Sequence, residues 1–428
     1  METKEILEIS SLRQSLDATV TMPGSKSHTQ RALILAAIAA GESILHNPLE
    51  SEDTSYLIAA LKSLGADISS RDGDLCIAGA GGRLADPDKE LYLGNNGTAM
   101  RILTGMVAIG RGTFILTGGE RLRERPVEPL LEALRKLGVD ARGRDREGYP
   151  PVLVRTSGLR GGEVVLRDVE SSQYISALLI AAPYAAGDTH IELAGRIPSL
   201  PYVSMTIAAM KEFGVEVQTD APCHYHVKGN QCYQGINCPI EGDVSSASYF
   251  FLAAALCEGK IRVENINPYS LQGDIDFLSL LEESGCIINR QGNRVELTGR
   301  PLPAGDLVCD LKDMPDMVPT LAVLSALRPG RTVIANVAHL RLKESDRLAA
   351  MATELKKTGI QVEERPDSLV ITGGHPRGAE IETYNDHRIA MSFAIMGLAV
   401  PGMRIKNPAC VDKSFPDFWK ELDKLYRK

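Results

Sequence analysis

The chain has 428 residues, 44% hydrophobic and 24% charged, and carries a formal net charge of −8 at pH 7. That length exceeds one ordinary core and suggests two domains, and a net negative chain gives no global reason to expect a nucleic-acid partner. No apolar run reaches the ~18 residues of a membrane span, and the start METKEILEIS has no signal-peptide core, so a cytoplasmic protein without membrane contact is expected.

In chain order, six helix-like apolar runs close on Gly41, Gly112, Gly187, Gly259, Gly330 and Gly402, at intervals of 71, 75, 72, 71 and 72 residues. A period that long means a whole α/β unit per repeat. A second series lies between them: LIAALKSLGADI, LLEALRKLGVDA, IAAMKEFGVEV, FLSLLEESGCII and MATELKKTGIQV. Each spaces apolar residues by three and four, then places glycine where a left-handed cap ends the helix. The sixth copy, 418–426, ends without a strand of its own, and the run Ile6–Ile9 is expected to supply one. Three repeats per half give domains at 21–241 and at 1–20 with 242–428, joined by a hinge of two crossings. Eight cysteines show neither CxxC pairing nor Cys/His ligand spacing, so neither zinc nor a disulfide framework is expected.

The polar starts of the six apolar helices read PGSKSHTQRAL, GNNGTAMRI, ESSQYISAL, DVSSASYFF, DMPDMVPTL and NDHRIAMSF. Helix starts leave backbone N–H groups at a positive dipole end, a setting that holds phosphate or carboxylate. Ser25, Asn95, Ser171, Ser245, Asp313 and Asn385 each read individually as N-caps. Capping does not account for Lys26, Arg31, Arg101 and Arg388, cations at helix starts that call for a compensating anion. RLRERP adds Arg121, Arg123 and Arg125, of which Arg123 also reads as a solvated surface residue, and RLKESDRLAAM adds Lys343, Glu344 and Arg347.

PGSKSHTQRA, LGNNGTAMR, RLRERPVEPL, SSQYISALL, RLKESDRL, YNDHRIAM and KSFPDF, in this order over the whole chain, closely resemble the 5-enolpyruvylshikimate-3-phosphate synthase family. The resemblance implies a fold of two inside-out α/β domains, each of three βαβαββ units. It also implies transfer of the enolpyruvyl group of phosphoenolpyruvate to the 5-hydroxyl of shikimate 3-phosphate, with release of phosphate. No ligand cluster or cofactor fingerprint appears in the sequence, so turnover without metal or organic cofactor is expected.

Carried over by position, the resemblance assigns Lys26, Ser27, Arg31, Ser171, Ser172, Gln173, Ser199, Tyr202, Asp316, His339 and Lys343 to shikimate 3-phosphate. It assigns Lys26, Asn95, Gly97, Arg125, Gln173, Arg347, Arg388 and Lys413 to phosphoenolpyruvate. Asp316 is the expected acceptor of the hydroxyl proton, Glu344 serves the methylene and Lys26 is a third participant. His387 reads as a satisfied helix-start histidine close to the site. The ligands of the two domains are expected to close together around the first substrate, making a pocket for the second or for glyphosate, in a monomer.

Asn96 and Ile102 stand where the family has smaller residues and proline, and Leu200 and His339 replace a Lys and an Asn, so glyphosate sensitivity is left open. Three other readings compete with this one. UDP-N-acetylglucosamine enolpyruvyltransferase would carry a cysteine in the loop that here reads RLRERP. A noncatalytic anion-binding protein gives no reason for Asp316 and Glu344 among phosphate ligands. An RNA-processing cyclase would be more basic than −8 and would show a nucleophilic histidine motif.

Overall fold

A strand, an apolar helix, a second strand, an amphipathic helix and a hairpin follow one another along the chain, and the last copy stops before its hairpin. The computed structural model describes residues 5–221 and 223–427. It divides into two compact units, Gly24–Ile240 and Met1–Pro23 together with Glu241–Lys428, and each holds three sheets.

Within a repeat, the strand before the apolar helix pairs in parallel with the strand after it, as in Gly162–Arg167 with Thr189–Ala194 and Leu307–Asp310 with Arg331–Ala335. The first and fourth repeats exchange these leading strands. Asp17–Thr21, which precedes the first apolar helix, pairs in parallel with Lys260–Glu264, whereas Asn237–Pro239, which precedes the fourth, pairs in parallel with Glu42–His46. The two chain crossings therefore follow strands already built into a sheet. In the incomplete sixth repeat, Ile6–Ile9 lies antiparallel to Met403–Lys406, with Ile6 opposite Lys406 and Ile9 opposite Met403.

Helices that are apolar all round must be covered on every face. Val244–Leu256 is buried from Val244 to Ala255, and in its unit it packs against Val318–Leu327 and His387–Ala399. In the other unit Gly97–Val107 packs on Gln173–Ala181 so closely that a Cβ at Gly105 would lie 2.5 Å from the Ala177 carbonyl oxygen. The strands alternate buried and exposed positions, as along Asp17–Thr21, so each unit has its apolar helices inside and its sheets outside. The amphipathic helices end as their spacing predicts. Gly65 and Gly359 stand just beyond two of them at φ 102° and 89°, a backbone region that other residues enter only at a cost.

Candidate active site

The helix starts gather the functional side chains, although the capping residues differ from the sequence expectation. Ser25 caps its helix as predicted, its Oγ accepting from His28 N at 3.4 Å. At the second start Asn96, not Asn95, is the cap, its Oδ1 accepting from Ala99 N at 2.9 Å. At the fourth and sixth, Asp243 and Asp386 do this in place of Ser245 and Asn385. At the third start Ser172 holds the cap position without a side-chain bond, and Ser171 accepts from Gln173 N at 3.3 Å. At the fifth start Met314, not Asp313, holds the cap position, because the helix begins with a turn of 3-10 helix, Pro315–Met317. In several of these cases two adjacent residues can both cap, and tertiary bonds choose between them. Asn96 is the clearest, since its Nδ2 also donates to the Asp53 carbonyl at 2.9 Å.

In the unit Gly24–Ile240 the Asp53 carboxylate extends this contact. Lys26 Nζ lies 3.4 Å from Asp53 Oδ2, so Asn96, Asp53 and Lys26 form one connected row. Arg31, 1% exposed, donates to Thr206 Oγ1 at 2.8 Å and to the carbonyls of Ser27 at 3.0 Å and Tyr202 at 3.2 Å. Burial lowers its pKa to about 10, while Tyr202 acts to raise it. Arg31 thus braces Ser27 and Tyr202 through their backbones. Ser199 precedes Tyr202 in a left-handed conformation, φ 62°, and its carbonyl accepts from Tyr202 N at 3.2 Å.

Gln173 is held at both ends of its amide, Oε1 accepting from Arg101 Nη1 at 2.7 Å and Nε2 donating to Thr98 Oγ1 at 2.9 Å. Arg101 also donates to the Pro126 carbonyl at 3.1 Å, a group that Tyr174 Oη reaches at 2.7 Å, so the end of the RLRERP segment is tied to two helix starts. Beside it Arg125 is buried against Gly97. A Cβ at Gly97 would fall 2.5 Å from the Arg125 Cζ, so the absence of a side chain lets a guanidinium lie on a helix N-terminus. Arg123 donates to the Gly118 carbonyl at 3.0 Å and Arg121 pairs with Glu124 at 2.9 Å.

The other unit contains a compact network of charge. Arg347 donates through Nη1 to Asp316 at 2.8 Å, through Nη2 to Glu344 at 2.9 Å and through Nε to Asp386 at 2.8 Å. Arg388 reaches the second oxygen of Asp316 at 2.7 Å and Tyr249 Oη at 3.2 Å. Burial by itself would lower the pKa of both arginines. For Arg347 the carboxylates of Asp386, Glu344 and Asp316 outweigh it, and for Arg388 Asp316 leads, so both stay above the ordinary value. The first-turn cations are therefore offset here by protein carboxylates. Asp386 also accepts from Ser345 Oγ at 2.9 Å and from Arg388 N at 3.0 Å. Lys413 and His339 are buried in this unit, Lys343 follows the 3-10 helix Ala338–Leu342, and His387 is fully buried at the start of its helix.

Asp274 is a member of this network that the sequence did not single out. It is 1% exposed, Ser245 Oγ donates to its Oδ2, and Oδ1 is buried with no hydrogen-bond partner among the described residues. Burial pushes its carboxyl up to about 7, with the charge of Asp316 acting in the same direction and Arg388 against it. In sequence Asp274 reads only as an acid before the helix Phe277–Glu283. Asp53 likewise reads as an ordinary first-turn acid. Among the described residues one cluster has the donor set for a metal ion: His28, Glu212 and Cys238.

Both networks draw residues from the motifs that carry the sequence resemblance, Lys26, Asn96 and Gln173 in one and Glu344, Arg347 and Arg388 in the other, and comparison with known proteins agrees over nearly the whole chain. A sequence model of the family described as EPSP synthase (3-phosphoshikimate 1-carboxyvinyltransferase) matches residues 11–422. The chain belongs to the EPSP synthase family. Relatives named 3-phosphoshikimate 1-carboxyvinyltransferase include one from Nostoc punctiforme, 42% identical over 97% of this chain and 98% of its own, and one from Yersinia ruckeri, 43% identical over 96% of each. A solved EPSP synthase from Acinetobacter baumannii superposes with a TM-score of 0.81 at 29% identity, covering 98% of both chains. Membership in the EPSP synthase family accounts for the pairing of α/β units and for the ordered motifs. All eight cysteines are free, and no described helix is long and apolar enough to cross a membrane.

Proposed function

We propose that this chain transfers the enolpyruvyl group of phosphoenolpyruvate to the 5-hydroxyl of shikimate 3-phosphate and releases phosphate. The observation that carries the reading is the Asp316–Arg347–Glu344 network, two carboxylates fixed by one buried guanidinium, in a chain of this family. Proton transfer needs carboxylates held in place, and anionic substrates need cations that are already oriented.

In the proposed reaction Asp316, as the carboxylate, takes the hydroxyl proton as the substrate oxygen bonds to C2 of phosphoenolpyruvate, and Glu344, which enters the step as the neutral acid, delivers its proton to C3. The methylene becomes a methyl group and C2 becomes tetrahedral. Asp316 then passes its proton to the phosphate oxygen as the bond from that oxygen to C2 breaks, C3 returns its proton to Glu344, and phosphate leaves with the double bond and both carboxyl groups restored. Lys26, Gly97, Arg125, Gln173, Arg347, Arg388 and Lys413, with Asn95, are proposed to hold phosphoenolpyruvate. Lys26, Ser27, Ser171, Ser172, Gln173, Ser199, Tyr202, His339 and Lys343 are proposed to hold shikimate 3-phosphate, with Arg31 bracing Ser27 and Tyr202 from behind. Glyphosate, with a carboxylate and a phosphonate, would compete for the phosphoenolpyruvate contacts. A monomer working in the cytoplasm completes the proposal, and eight free thiols suit a reducing compartment.

The test is phosphate release from phosphoenolpyruvate by the purified chain, with shikimate 3-phosphate in one arm and UDP-N-acetylglucosamine in the other. Release only in the first arm is expected, and exhaustive chelation should leave it unchanged. Release only in the second arm would overturn the assignment.

A further inference from the structure

Three ligating side chains that lie far apart in sequence meet in the unit Gly24–Ile240. His28, Glu212 and Cys238 offer a nitrogen, an oxygen and a sulfur, all within 4.8 Å of one another. Their meeting follows from the fold. His28 stands in the first turn of Lys26–Ile38, Glu212 is the last residue of Pro201–Glu212, and Cys238 is the middle residue of Asn237–Pro239, in register with Leu45. The two helices pack together, and the first also packs on the strand that holds Leu45.

The spacing of sulfur and carboxylate suits one small ion. Cys238 Sγ lies 3.7 Å from Glu212 Oε2. A tetrahedral zinc ion, with bonds of about 2.3 Å to sulfur and about 2.0–2.2 Å to nitrogen and oxygen, separates neighbouring ligand atoms by roughly 3.3–3.7 Å. The pocket is closed behind the sulfur and open at the carboxylate, because Cys238 is buried, His28 half-buried and Glu212 exposed. That leaves a fourth position for water. Magnesium and calcium are poor candidates, since both prefer oxygen ligands throughout.

We infer that His28, Glu212 and Cys238 form a binding site for a divalent cation of the zinc class. On binding, the Cys238 S–H bond breaks, the thiolate sulfur gives its electron pair to the metal and the proton passes to solvent. One thiolate, one carboxylate and a neutral imidazole balance the double positive charge, so the half-buried site is left without net charge. An ion held there ties the end of one helix to the turn that carries Lys26 and Ser27. None of the three ligands is among the groups proposed to hold or convert substrate.

The test uses the intact chain, stripped with a chelator and then titrated with Zn²⁺ against a chromophoric competitor and with Co²⁺ by absorption. One ion per chain at micromolar affinity or tighter is expected, with a sulfur-to-cobalt charge-transfer band in the near ultraviolet. Cys238→Ser should abolish the band and weaken Zn²⁺ binding by about tenfold or more. Glu212→Gln, at an exposed helix end where folding is not at stake, should weaken binding similarly and keep the band. No band in the wild-type chain, a band that survives Cys238→Ser, or undiminished affinity in Glu212→Gln would each overturn the site. Because turnover is not the readout, any of these results leaves the enolpyruvyl-transfer reading standing.

Discussion

Arg347 and Asp386 face each other at 2.8 Å, Nε to Oδ2, with side-chain exposures of 1% and 0%. Such a pair adds little net stability over an apolar replacement of both partners, but breaking it from one side leaves a buried charge uncompensated. Arg347→Met is therefore expected to destabilise its unit by about 3–5 kcal/mol. Urea unfolding measures this directly, and a loss below about 1 kcal/mol would show that water or another cation reaches Asp386.

The carboxylates bound to that arginine are expected to affect rate more than folding. Asp316→Asn keeps the shape of the side chain and part of its contact with Arg388, yet cannot accept the hydroxyl proton as a carboxylate does. Turnover should fall by a factor on the order of 10² or more, as it should in Glu344→Gln, while Arg123→Ala stays near wild type. Steady-state kinetics should assign most of the loss to kcat. Ordinary kcat in either carboxylate variant would make that residue structural.

Gly97→Ala tests the contact between a helix start and a guanidinium. The added Cβ would meet Arg125 Cζ at 2.5 Å, so the arginine must move by about an ångström to restore an ordinary contact. Arg125 is buried and the backbone at Gly97 is helical, so the strain falls on the position of the charge. KM for phosphoenolpyruvate should rise about tenfold or more, with a smaller change in KM for shikimate 3-phosphate. An unchanged KM for phosphoenolpyruvate would remove Arg125 from its site.

Much of this was legible in the chain because repetition is a strong signal. Six apolar helices, interleaved amphipathic helices ending at glycines such as Gly65 and Gly359, and Ile6–Ile9 as a candidate strand all follow from spacing. The exchange of Asp17–Thr21 and Asn237–Pro239 was not legible. Strands of five and three residues carry no mark of their partner, and only tertiary pairing decides it. The same limit explains the caps. Asn95 and Asn96 are equivalent as sequence, and the bond from Asn96 to the Asp53 carbonyl selects between them. The cluster of His28, Glu212 and Cys238 also escaped a search for ligand spacing, since its members come from two helices and a strand.

Asp274 links the charge network to pH. Its carboxyl faces Asp243 and Ser245 at the start of Val244–Leu256, Asp316 on the 3-10 turn and Arg388 on His387–Ala399, and burial first, then Asp316, pushes it up to about 7. In the unfolded chain an aspartic acid titrates near about 4. Between those values the folded protein holds a proton that the unfolded chain has lost, so stability from this group is fully present below about pH 4 and is lost as pH rises towards 7. An amide does not titrate in this range, so Asp274→Asn should remove that part of the pH dependence. The Tm of the wild-type chain relative to the variant should therefore be higher at pH 5 than at pH 8, whatever constant offset the amide introduces. Differential scanning fluorimetry across pH 4.5–8 reads this difference, and parallel curves for the two proteins would mean that Asp274 is ionised throughout, with Arg388 outweighing its burial.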